Sequence, residues 1–151
     1  MKSDLKYIAK QILNLSEKNS VIGFACIGAK EASYKNDNFY QVTELLKESD
    51  MKFVTVNYDG TYKFSADIDA TGVCDSFSYN FQKVAIPENC IALVNLKPIL
   101  GNESLFDADG ALNKIIISVK YGKTSYNNIE KADRLFKENN IEVIGVIANK
   151  R

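Results

Sequence analysis

Short, nearly continuous apolar runs recur along this chain, and they constrain its fold more than any other feature: VIGFACI (21–27), KFVTVN (52–57), IALVNL (91–96), KIIISV (114–119) and IEVIGVIAN (141–149). Runs of this kind mark strands that are covered on both faces. Helical periodicity fills the gaps between them. Leu5, Ile8, Ala9, Ile12 and Leu13 follow the N-cap candidates Ser3 and Asp4, which predicts an amphipathic helix over 4–17. Phe39, Val42, Leu45 and Leu46 mark a second helix ending near Ser49, preceded by a polar, irregular stretch over 28–37. Asn127, with Glu130 three positions on, forms a capping pair for a third helix with Ile129, Ala132, Leu135 and Phe136 inside. Residues 58–80, rich in Asp, Ser, Thr and Gly, read as a long connection with one short helix, and a further short helical stretch is expected around 104–112. Strands alternating with helices imply βαβ crossovers. The expectation is therefore an α/β chain, a three-layer α/β/α sandwich on a mostly parallel sheet, forming one domain over 1–151. Ligands of such sheets lie beyond the carboxyl ends of the strands, so the informative positions follow 27, 57, 96, 119 and 147.

Composition narrows the chemistry. A chain of 151 residues with 46% hydrophobic side chains can bury a sizeable core. Lys+Arg 19 balance Asp+Glu 19, so no overall field would gather nucleic acid or anionic lipid. The absence of histidine removes Ser/His/Asp and Cys/His nucleophiles and every His-ligated metal site. Cys26, Cys74 and Cys90 are odd in number and fit neither a disulfide framework nor paired metal ligands, which suits a reducing cytoplasm. Cys26 reads as a small buried hydrophobe, Cys74 and Cys90 as loop residues. The start, MKSDLKYIAKQ, carries charges where a signal peptide needs apolar residues, and the longest uncharged apolar run, 21–29, is too short to span a bilayer. A cytoplasmic chain with no nucleic-acid partner and no direct membrane insertion is expected.

The strand, loop and helix from Val21 to Ser49 are the frame in which a phosphate-binding loop would sit. Such a loop needs glycines to bare its N–H groups, a lysine for the phosphate charge and a hydroxyl for Mg²⁺. With Lys35 as that lysine, the glycine positions fall on Ala29 and Tyr34 and the hydroxyl position on Asn36. A lone lysine in a polar loop reads as a solvated charge; the phosphate role is the alternative.

The segment KIIISVKYGKTSYNNIEKADRLFKENNIEVIGVIANK (114–150) resembles the bacterial tyrosine kinases of capsule and exopolysaccharide operons, within the deviant-Walker group of P-loop ATPases, in its strand, Gly-Lys-Thr-Ser segment, helix and strand end. IALVNLKPI (91–99) resembles the family's Walker B strand, TVNYD (55–59) its second acidic motif, and GVCDSF (72–77) a turn that follows it. The resemblance implies a P-loop-NTPase-like fold, reduced in size, since the interval from Asn57 to Asn95 is short for the family. It also implies that two metal-holding aspartates are replaced here by Asn57 and Asn95, with only Asp59 left near them. Hard divalent cations prefer anionic oxygen ligands, so the implied protein is a catalytically inactive, pseudo-kinase relative with no cofactor. By the same resemblance it would serve polysaccharide biosynthesis as a regulatory or interaction module. Its partner would be a membrane polysaccharide co-polymerase or an active tyrosine kinase, which would hold it at the inner face of the membrane.

Two other readings stay open. An active or nucleotide-switched ATPase would use Lys35, Asp59 and Asn149 with ATP and Mg²⁺, and it requires a nest of backbone N–H groups between Ala29 and Asn36 left unfilled by Lys30 or Tyr34. A sugar-nucleotide or other small-ligand domain would show an open pocket lined by tyrosines. Asn149 matches the position at which related ATPases read adenine, though an ordinary turn residue is the leading account of it. Gly122, Lys123, Thr124 and Ser125 read equally as a strand-to-helix turn and as a contact surface. Tyr34, Tyr40, Tyr58, Tyr62, Tyr79, Tyr121 and Tyr126 suit protein contacts or phosphorylation by another kinase.

Overall fold

All of the apolar runs become strands of one sheet. The computed structural model describes residues 2–14, 21–65, 73–79, 82–87, 90–102 and 112–150. Its elements follow as α1 (Lys2–Leu13), β1 (Val21–Cys26), α2 (Ala32–Lys47), β2 (Lys52–Val56), β3 (Tyr62–Phe64), β4 (Val73–Tyr79), β5 (Gln82–Pro87), β6 (Cys90–Asn95), β7 (Leu112–Lys120), α3 (Tyr126–Glu138) and β8 (Glu142–Asn149). The main sheet runs β3-β2-β6-β1-β7-β8, parallel except for β3, which pairs antiparallel with β2 at one edge. The expected α/β fold on a mostly parallel sheet is thus present. β4 and β5 form a separate antiparallel hairpin.

Side-chain alternation along β1 decides which face each residue serves. Ile22 and Phe24 point toward α1 and α2, where they pack with Ile8, Ile12, Phe39, Val42 and Leu46. Val21, Ala25 and Ile27 point the other way, toward Ala132 and Phe136 of α3 and Val84 and Ile86 of β5. Helices therefore lie on both faces, but the second layer is part helix and part hairpin. Phe24 and Phe39 meet edge to face, with ring centroids 5.1 Å apart, and fix α2 over the middle of the sheet.

Several expectations need correction. Residues 28–37 are not irregular: a 3₁₀ turn at Ala29–Glu31 leads directly into α2. The start of that helix carries polar residues on its inward side, so apolar periodicity alone could not reveal it. The connection after β2 shows no helix among its described residues; it forms β3 and then β4, and from Val73 onward the segment compared with a turn is strand. Cys90 is a buried strand residue, because the strand begins one residue before IALVNL. The third helix is capped by Ser125, whose Oγ accepts the Asn128 N–H at 3.2 Å, two residues ahead of the expected Asn127 cap. Ile129 is exposed, not inside. The expected extension of α1 over 15–17 and the helical stretch at 104–111 lie outside the described residues. Among the described residues no helix is long and apolar enough to cross a membrane.

Gly23 lies where there is no room for a side chain. A Cβ there would stand 2.6 Å from Leu96 Cδ1, 3.1 Å from Leu112 Cδ1 and 3.3 Å from Ile115 Cγ2. Gly23→Val overpacks the central strand and is expected to lower stability by about 1–3 kcal/mol, measured by urea denaturation.

Candidate functional site

β1 is the strand at which the chain changes direction across the sheet: from it the chain runs out to β2, returns to β6 on one side, then passes to β7 on the other. Crevices in open α/β sheets form at such switch points, beyond the carboxyl ends of the strands. At this edge the residues facing α2 turn polar. Cys26 ends β1, Asn95 ends β6, Ser118 and Lys120 lie toward the end of β7, and Asn149 ends β8, all of them buried. The helix answers in kind. Glu31, Lys35 and Asn38 are spaced as one helical stripe that continues into the apolar Phe39, Val42 and Leu46, and all three polar side chains are buried.

Two oppositely charged side chains close the switch point. Lys35, only 2% exposed, donates from Nζ to the Leu96 carbonyl just after β6. Glu31, 3% exposed, accepts the Gly28 N–H on Oε2 at 2.9 Å and the Thr124 hydroxyl on Oε1 at 2.9 Å, just after β7. The Glu31 contact with Gly28 is the reach-back half of a capping box. Thr124 Oγ1 also accepts the Lys120 N–H at 2.9 Å. Burial lowers the Lys35 pKa, since the charged form has lost its water, while the neighbouring Cys26 acts weakly against that shift. Burial likewise pushes the Cys26 thiol up to about 11, opposed by the Lys35 charge. The reading of Lys35 as a solvated charge is therefore overturned. Part of the loop's N–H set is already engaged: the Gly28 N–H goes to Glu31, and the N–H groups of Glu31 and Ala32 bond back to Gly28 and Ala29. Lys30 is exposed, and Tyr34 lies beneath Lys120 and Lys123, with Nζ 5.0 and 5.5 Å from the ring centroid. Neither fills the crevice; Glu31 and Lys35 do.

Asn149 is not a turn residue. It is 1% exposed and forms a reciprocal amide pair with Asn38, at 3.1 and 3.0 Å, while its Nδ2 also reaches the Val119 carbonyl at 3.0 Å. Ser118 Oγ donates to the same Asn38 oxygen at 2.8 Å. This cluster ties α2 to β7 and β8 through fully buried polar groups.

The other sequence-singled residues separate. Asn57 and Asp59 form the β2–β3 hairpin turn: Asn57 and Thr61 pair through their backbones, Gly60 takes φ +90°, and Asp59 Oδ1 accepts the Thr61 hydroxyl and N–H. Those bonds, the hydroxyl first, hold the Asp59 carboxyl below the usual carboxylate range. Asp59 thus stands in the turn after β2, two strand positions from β1, and is not gathered with Lys35 and Asn149. Asn95 donates from Nδ2 to Asn36 Oδ1 at 3.1 Å. The donor set fits Mg²⁺ poorly, being amides with one exposed carboxylate already engaged by Thr61. Gly122, with φ +80°, turns the chain; Lys123 stacks on Tyr34, Thr124 holds Glu31 and Ser125 caps α3. Tyr40, Tyr58, Tyr62, Tyr121 and Tyr126 are exposed. The cavity nearest the motif positions is lined chiefly by amides and phenylalanines, with Tyr40 its single tyrosine, unlike the tyrosine-lined pocket expected of a sugar-nucleotide site.

Sequence reasoning missed Glu31, Asn38, Ser118 and Lys120. The signal was present: counting back from Leu46 and Val42 in helical steps reaches Asn38, Lys35 and Glu31, and counting forward from Ile116 in twos reaches Ser118 and Lys120.

Asn38→Leu strands the Ser118 hydroxyl and the Asn149 amide in a dry site, so a loss of about 2–4 kcal/mol is expected in the urea midpoint analysis. The Cys26 shift has a definite sign. Its raised pKa contributes stability that is complete below the ordinary thiol value of 9.0 and is lost as pH climbs toward about 11. The component amounts to roughly 2–3 kcal/mol. Lys35 works in the opposite sense, its contribution being lost as pH falls from its ordinary 10.5 through the lowered value. The difference in pH-dependent stability between the native chain and Cys26→Ala isolates the thiol, and a parallel profile for the two would contradict the assignment. No family model, curated protein or solved structure matches the chain, so the reading of this site stands on its own residues.

Proposed function

We propose that this chain is a non-catalytic, P-loop-NTPase-like module, a reduced relative of the capsule-operon tyrosine kinases it resembles, working through protein contacts in extracellular polysaccharide assembly. One observation carries the loss of catalysis: the crevice at the end of β1 is filled by the chain's own Glu31 and Lys35. A phosphate at a helix start needs free N–H groups and a free cation. Here a carboxylate already takes the Gly28 N–H and would repel an incoming phosphate, while the Lys35 ammonium is committed to Leu96. Asn149, whose amide would have to read a base, is committed to Asn38. On this reading the protein needs neither ATP nor Mg²⁺.

The contact role is supported by what surrounds the closed crevice. Tyr121 and Tyr126 are each 72% exposed and flank Gly122, Lys123, Thr124 and Ser125 on the rim. Exposed tyrosine suits a protein partner. The partner classes are a membrane polysaccharide co-polymerase and an active tyrosine kinase, either of which would bring a cytoplasmic module to the membrane without insertion.

Isothermal titration calorimetry with ATP and Mg²⁺ tests the reading, with no saturable heat and no turnover expected. A micromolar dissociation constant accompanied by ATP hydrolysis would instead establish an active ATPase.

A further inference from the structure

Between α2 and the β2–β3 hairpin lies a cavity of about 420 Å³, within the range that accepts small molecules. Neither Glu31, Lys35 nor Asn149 lines it. Its polar lining sets the carboxamides of Asn36, Asn57 and Asn95 beside the hydroxyls of Thr43, Thr55 and Ser65, and Tyr40 and Phe64 contribute aromatic wall. Asn95 is 5% exposed; its Nδ2 is satisfied by Asn36, but its Oδ1 is buried without a partner among the described residues.

The charges at the rim narrow the ligand. Glu44, which pairs with Lys47 at 3.1 Å, is the single carboxylate of the lining, too little anionic oxygen for a divalent cation. Lys63 is the remaining cation of the lining, exposed at the mouth, which is too little positive charge for a di- or polyphosphate. Carboxamides both donate and accept, as hydroxyls do, and the aromatic wall suits the apolar face of a small ring. We propose that this cavity binds an uncharged polyhydroxy ligand of the monosaccharide class, held by Asn36, Asn57 and Asn95. The site goes beyond the reading of the crevice and does not require that phosphoryl transfer has been lost.

Nuclear magnetic resonance on the full chain tests this, following the side-chain amide signals of the three asparagines. The neutral probes are methyl α-glucopyranoside, N-acetylglucosamine and myo-inositol; the charged ones are UDP-glucose, inorganic phosphate and magnesium chloride. At least one neutral probe is expected to shift these signals saturably with a millimolar dissociation constant. Asn57→Leu, at an exposed turn position, is expected to weaken that binding about tenfold, and Asn36→Leu on the exposed side of α2 to act in the same direction. The proposal fails if no neutral probe shifts the signals, or if the shifts persist unchanged in both variants. It fails equally if phosphate, magnesium or UDP-glucose binds there more tightly than every neutral probe.

Discussion

A charge taken out of water must be given partners, and this requirement organises the carboxyl edge of the sheet. Lys35 and Glu31 are both nearly inaccessible, and they spread their bonds to opposite sides of β1. The ammonium holds the loop leaving β6, and the carboxylate holds the turn leaving β7. Neither contact is expected to add much net stability, since desolvation offsets the gain. Their effect is geometric: the helix that follows β1 is bolted to the two strands flanking it, which closes the place where an α/β sheet is normally open. The Gly28 loop, the Tyr34 ring under its two lysines and the start of α3 at Ser125 are all arranged around that closure.

The strand pattern was legible in the sequence because strands covered on both faces must be apolar on both, as the runs of β1 and β6 are; β8, at the sheet edge, is apolar as well although Val143 and Val146 are exposed. The start of α2 was not legible for the converse reason. Its inner face is apolar at Phe39, Val42 and Leu46 but polar at Asn38, Lys35 and Glu31, so a search for apolar periodicity starts about two turns too late. The β4–β5 hairpin was hidden differently: it is a second-layer element beside the main sheet, and polar residues such as Asp75, Ser76 and Ser78 interrupt it. The candidate site was half visible. Lys35, Asn95 and Asn149 were singled out, but as a solvated charge, a lost metal ligand and a turn residue, whereas their partners come from elements far away in the chain that no local pattern connects.

Similar residues have acquired different physical roles here. Asn57 belongs to a hairpin turn that Asp59 and Gly60 would build in any soluble protein. Asn95 forms part of a cavity wall with one oxygen unmatched. Asn149 is sealed in a dry pair. Asn57 and Asn95 suggested lost metal ligands and Asn149 a turn residue, yet burial and neighbours separate a turn former, a candidate recognition group and a structural pin.

The reciprocal pair of Asn38 and Asn149 has a consequence for how the last strand finds its place. Sliding β8 by one residue would turn its inward side chains outward, an error the apolar pattern already forbids. A slide of two preserves the alternation, and VIGVI is nearly indifferent to it. That slip would carry Asn149 about 6.6 Å from Asn38 and would press a bulkier side chain than Gly145 against Ile8, where a Cβ already meets Cδ1 at 2.5 Å. Polar complementarity thus acts as a vernier, together with the tight fit at Gly145, rejecting the misalignment that alternation alone would let pass.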